Sequence, residues 1–186
     1  MHGLRSAKTI STVAAAGLIA MSISLTANAA GEHAGGHGGA AVIGKPGDPA
    51  QASRTIDIVM TDNAFAPDRI SVGKGETVRF AVRNAGEIVH EFTIGTTAMH
   101  AAHQKEMMSM FERGVLEVDR IHRDRMKAGM GHGGAMSHDD PNSVLLEPGE
   151  STTLTWRFDT DAELEFACNV PGHYEAGMVG RFSVER

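Results

Sequence analysis

The run Cys168-Asn169-Val170-Pro171-Gly172-His173-Tyr174-Glu175-Ala176-Gly177-Met178 spaces a thiol, an imidazole and a thioether with four residues between neighbours. Pro171-Gly172 favours a tight turn, and Gly177 relaxes the backbone before the next apolar run. The segment therefore reads as a loop between two strands, Glu163 to Cys168 before it and Met178 to Val184 after it.

Working outward, the chain keeps the same character. Ile56, Ile58 and Met60 fall on one face of an extended run, as do Val78, Phe80 and Val82. Gly73-Lys74-Gly75-Glu76 and Pro148-Gly149-Glu150 are turn signals, each followed by a β-rich run, Thr77 to Arg83 and Ser151 to Phe158. They read as equivalent corners of a sandwich. Further strands are expected at Arg69 to Val72, Val89 to Ile94 and Val144 to Glu147. About eight short strands of this kind predict an all-β, two-sheet sandwich, with Trp156 and Phe158 in its core.

One segment breaks the pattern, an insertion over residues 96–142. Ala98 to Arg125 has no proline and is dense in helix formers, whereas Ala128 to Asn142 is rich in glycine. Gly114 is expected to divide the helical part. Met99, His103, Met107 and Met110 would share one helix face, and Val118, His122, Met126 and Met130 a second. Such a stripe most often docks a helix on the body of a protein. Thioethers with imidazoles also suit copper, so Met99, His103, Met107, Met110, His122 and Met126 form a secondary set of candidate copper donors. His132, Met136 and His138 follow, and His33 and His37 lie upstream.

Cys168 is the single cysteine of the chain. The first thirty residues read as an export signal: basic Arg5 and Lys8, an apolar stretch from Ile10 to Leu25, and small residues Ala27-Asn28-Ala29 at the cleavage positions. Serines and threonines dilute the apolar stretch, which argues for cleavage near Ala29/Ala30 over a membrane anchor. A signal peptide at 1–29, a flexible Gly- and His-containing tail at 30–53 and a sandwich domain at 54–186 are expected. In an oxidising compartment a lone cysteine has no disulfide partner within the chain, and metal ligation supplies a role for it. The formal charge of -6, without a basic patch, argues against a nucleic-acid partner.

Thiolate, imidazole and weak thioether together suit copper in both oxidation states, and a trigonal copper site needs a second imidazole. His90, at the start of an expected strand, is the best candidate. Zinc recruits more cysteines and avoids methionine. A cysteine-nucleophile enzyme would leave Met178 without a role, and a binuclear or multicopper centre needs a second cysteine or paired histidines that the chain lacks. Taken singly, Cys168 could be a buried thiol, His173 a surface residue and Met178 core packing.

These motifs resemble the cupredoxin family, in particular the small blue copper proteins of the plastocyanin and azurin kind. The resemblance covers Arg54 to Ile94 and Asn142 to Arg186: the Gly75-Glu76 corner, the Val89-His90 strand start, the Pro148-Gly149 corner and the Cys168 to Met178 loop. It implies a Greek-key β-sandwich, one type 1 copper held by His90, Cys168, His173 and Met178, and one-electron chemistry without enzymatic turnover. The family often has Asn after the upstream histidine, where this chain has Glu91. The resulting expectation is a periplasmic copper protein serving copper handling or tolerance, the alternative being a soluble one-electron carrier. Its partners would be the copper ion and a redox or copper-handling protein, without stable membrane insertion.

Overall fold

Alternating burial along the strands sorts the chain into two facing layers. The computed structural model describes residues 43–128 and 140–185. Within them ten strands form two five-stranded sheets. The first runs β1 (Lys45–Pro46), β8 (Ser151–Arg157), β5 (Thr77–Asn84), β2 (Arg54–Thr61) and β3 (Ala64–Ala66). The second runs β4 (Arg69–Gly73), β10 (Val179–Glu185), β9 (Glu165–Ala167), β6 (His90–Gly95) and β7 (Ser143–Leu146). This is the expected Greek-key sandwich with a helical insertion. The two strands beyond the expected eight, β1 and β3, are edge pieces of two and three residues, too short to show alternation.

Ile58 and Met60 of β2, Val78, Phe80 and Val82 of β5, and Leu154 and Trp156 of β8 are buried on one side. They meet Ile70, Val72, Phe92, Ile94, Phe166 and Phe182 of the second sheet. Phe92 sits between the layers, its ring centroid 5.4 Å from both Phe80 and Phe166, a spacing that aromatic pairs favour. Trp156 and Phe158 are fully buried. The two corners are built alike: the Glu76 carboxylate accepts from the backbone N–H of Gly73, and the Glu150 carboxylate from that of Glu147.

The expected tail reached residue 53, but residues from Ile43 onward already belong to the sandwich. Ile43 is fully buried, its carbonyl accepts from the Trp156 indole at 2.9 Å, and β1 pairs with β8. The Gly, Ala and Pro composition concealed this attachment, because one isoleucine and a two-residue strand carry it. The expected signal peptide, residues 30–42 of the tail with His33 and His37, and Met130, His132, Met136 and His138 lie outside the described residues. No helix among the described residues is long and apolar enough to cross a membrane.

Between β6 and β7 the insertion contributes α1 (Thr97–Glu112) and α2 (Arg123–Ala128). Thr96 caps α1, its hydroxyl accepting from the Met99 N–H. Gly114, with φ of 65°, ends the helical segment, as expected of a residue free to turn left-handed. The second stripe is corrected by the structure: residues 115–122 are not helical. Leu116 and Ile121 bridge antiparallel, with Glu117 N–H donating to the Arg120 carbonyl, and Val118 is 60% exposed at the tip. Buried Val115, Leu116 and Ile121 draw this stretch into a folded-back loop instead of a helix.

Candidate metal centre

Strand register brings the candidate residues together. The pairing of Thr93 with Ala167 sets the start of β6 beside the end of β9, and the pairing of Val179 with Ala167 sets the start of β10 on its other side. Continuing both registers by one residue places Cys168 level with Phe92 and Met178, so His90, Cys168 and Met178 share one end of the second sheet. The loop then returns on itself: Cys168 N–H donates to the Met178 carbonyl, Met178 N–H to the His173 carbonyl and His173 N–H to the Val170 carbonyl. The four residues between cysteine and histidine hold this turn.

Cys168 Sγ is fully buried, 3.2 Å from His173 Nδ1 and 3.9 Å from His90 Nδ1. All three donor atoms lie within 4.8 Å of one another. The rings of the two histidines stand 5.0 Å apart; His90 is fully buried and His173 half-buried. Met178 is fully buried and fixed at its backbone to both Cys168 and His173. Two imidazole Nδ1 atoms and a sulfur in one pocket, with a methionine at the same sheet end, form a donor set that fits a mononuclear copper site. Burial, joined by the nearby Glu91 charge, pushes the Cys168 thiol well up. A metal is what would hold it as thiolate.

Asp62 was missed in the sequence. Its carboxylate lies 3.0 Å from His90 Nε2, and the hydrogen bond to His90 holds the Asp62 carboxyl below its usual range. A carboxylate only accepts, so Nε2 carries the proton and Nδ1 keeps a free lone pair facing Sγ. Burial lowers His90 despite Asp62, favouring that neutral ring. His173 is lowered too, by burial first and by His90 second. Gly86 permits this approach, since a Cβ there would fall 2.3 Å from Asp62 Oδ1 and 2.9 Å from His90 Nε2. Asn84 frames the turn, donating to the Ile88 and Leu146 carbonyls and accepting from Gly86 N–H.

The remaining candidates lie elsewhere. In α1, Met107 and Met110 are buried in the hydrophobic core and Met99 packs against it. His103 places Nε2 2.9 Å from Glu91 and Nδ1 3.0 Å from Glu106. His122 pairs with Glu117 at 2.8 Å, and Met126 packs against the core. His103, Glu106 and Asp140 form a second group of close polar atoms, with both His103 nitrogens already on carboxylates.

A family model described as a cupredoxin-like domain matches residues 15–116, a span that includes His90 and ends before Cys168. The copper-resistant cuproprotein CopI of Pseudomonas aeruginosa is 51% identical over 149 residues, which are 77% of this chain and 82% of that protein. The protein of the same name in Rubrivivax gelatinosus is 39% identical over 165 residues, 85% of this chain and 86% of its own. Among solved structures, a dithionite-reduced auracyanin of Roseiflexus castenholzii matches with a TM-score of 0.51 at 23% identity, over 73% of this chain and 99% of that one. Auracyanin B matches with a TM-score of 0.52 at 22% identity, over 77% and 96%. The likeness to these two structures is one of fold.

Proposed function

This chain belongs to the cupredoxin family, and from that premise we propose that it is an exported type 1 copper protein serving copper tolerance. His90, Cys168 and His173 would hold the ion, with Met178 as a fourth, weaker donor. The observation that carries this reading is the convergence of Cys168 Sγ with the Nδ1 atoms of His90 and His173 in one buried pocket. Bound there, copper supplies one-electron exchange between Cu(I) and Cu(II). The chain's own groups set the terms: Asp62 keeps the proton on His90 Nε2, and the Glu91 N–H donates to Sγ at 3.3 Å. Cys168 gives up its proton on binding, so affinity falls in acid.

The copper-resistance names of the relatives favour tolerance over a dedicated electron carrier. We place the protein in the periplasm, on the strength of the basic-apolar-small pattern of residues 1–29. Copper titration of the purified mature protein in both oxidation states, followed by visible absorption and electron paramagnetic resonance, tests the assignment. It requires an intense thiolate-to-copper band at one Cu(II) per chain. Full Cu(II) occupancy without that band would overturn the type 1 reading.

A further inference from the structure

A carboxylate buried beside a metal-binding sulfur destabilises a fold unless its charge and its lone pairs are met. Glu91, fully buried on the outer face of β6, is in that position. One of its oxygens, Oε2, accepts from the Asn169 backbone N–H at 3.1 Å and from Asn169 Nδ2 at 2.8 Å. The other, Oε1, accepts from Ser143 Oγ at 3.0 Å and faces His103 Nε2 at 2.9 Å. A continuous chain of hydrogen bonds therefore runs from α1 through His103 and Glu91 to Asn169, the residue after Cys168.

We propose that His103 is a positioning residue of the metal centre: from the insertion helix it orients the Glu91 carboxylate that clamps Asn169, and its charge offsets that carboxylate beside Cys168. This rests on the copper reading given above. Both His103 nitrogens face carboxylates, Glu91 and Glu106, and only an imidazolium can donate to two such acceptors at once. Burial opposes that charge, but Glu91 and Glu106 outweigh it and raise His103 to about 9. Glu91 stands where the family often has asparagine, with a charge that an amide would not bring. The insertion thus supplies the cation that makes a carboxylate tolerable there.

The consequence is directional. Without the His103 charge, the carboxylate near the sulfur favours the more positive Cu(II) state, and the reduction potential falls. The test compares wild type, His103→Ala, His103→Gln, Glu91→Gln and the double variant Glu91→Gln/His103→Ala, as full mature chains. The visible band and the potential are read with copper, and Asn169 amide hydrogen exchange without metal. We expect both His103 variants to keep the band and shift the Cu(II)/Cu(I) equilibrium on the order of tenfold, about 59 mV for one electron. The double variant should stay close to Glu91→Gln, because the charge needing compensation has gone. Asn169 exchange should quicken on the order of tenfold in His103→Ala. A wild-type potential and wild-type exchange in both His103 variants would overturn the proposal, even with a lowered melting temperature, since that combination marks simple packing. Absence of the band in wild type would defeat the copper reading instead, and Asn169 exchange in the metal-free protein would still decide the clamp.

Discussion

The Cys168 to Met178 loop and helix α1 carry the same side-chain chemistries, imidazole and thioether, and arrange them in opposite ways. In the loop, backbone hydrogen bonds from Cys168 to Met178 and from Met178 to His173 fold the donors onto one another at a sheet end. In α1 the stripe of Met99, His103, Met107 and Met110 faces the protein body, with Met107 and Met110 in its core and His103 on carboxylates. Donor type alone therefore does not bring donors together. Strand ends converge, whereas successive turns of a helix face spread along a line and serve to dock it.

The largest effect that could break this contrast is loss of the site itself. Cys168→Ser should abolish the thiolate-to-copper band, and His90→Ala and His173→Ala should weaken or rearrange it, because each removes one of the proposed donors. Replacing Met99, Met107 and Met110 together with leucine should leave the band and the Cu(I) stoichiometry unchanged. Fewer bound Cu(I) equivalents in that triple variant, measured by chelator competition, would restore the stripe as a copper-binding element and end the comparison.

Next in size is the cost of removing a docking residue. Met107 is fully buried in the core, so Met107→Ala should lower unfolding free energy by roughly 2–5 kcal/mol in denaturant titrations of the metal-free protein. Met107→Leu, which nearly conserves volume, should cost under about 1.5 kcal/mol. An alanine variant as stable as wild type would mean that α1 docks without this side chain.

A smaller effect tests how the pocket is oriented. Asp62→Asn keeps the size of the residue that holds His90 Nε2 but removes its charge. Copper affinity should fall roughly 10- to 100-fold, as for other partners of ligating histidines. Unchanged affinity would show that the buried ring is held by packing alone.

Much of this was legible beforehand, for physical reasons that differ along the chain. Strands β2, β5 and β8 showed themselves because one face is buried and the other wet, so hydrophobic residues alternate. The Cys168 loop was readable because its donors and its turn residues are contiguous. Asp62 was not, since its link to His90 spans 28 positions and depends on how the turns after β2 and β5 meet. Glu91 was noticed only as a departure from the family. Its meaning required the position of α1, and nothing in the sequence aims His103 at it. The loop at 115–122 was misread because Val118, His122 and Met126 keep helical spacing by chance while the backbone turns at Gly114.

The finest test sets two histidines of α1 against each other. His103 faces Glu91, Glu106 and Asp140, and its value rises to about 9 from an ordinary 6.5. Its folded form thus holds a proton that the unfolded chain releases, so the stability it adds is complete below about 6.5 and is lost as pH rises through about 9. His100, one turn earlier, is fully buried against Tyr174, with Glu165 and Glu91 nearby, and burial drives it downward in spite of those carboxylates. Its contribution has the opposite sign: present above the ordinary value, lost as pH falls below it, because the unfolded chain gains a proton that the folded ring refuses. Melting temperatures of the metal-free protein should show both slopes, with His103 and His100 each contributing at most one proton, about 1.36 kcal/mol of stability per pH unit. His103→Gln should flatten the alkaline slope and leave the acid one. His100→Leu should soften the acid slope, to which His90 and His173 also contribute, and leave the alkaline one. Parallel curves for wild type and His103→Gln between pH 6.5 and 9 would show that the pair with Glu91 carries no net charge on folding.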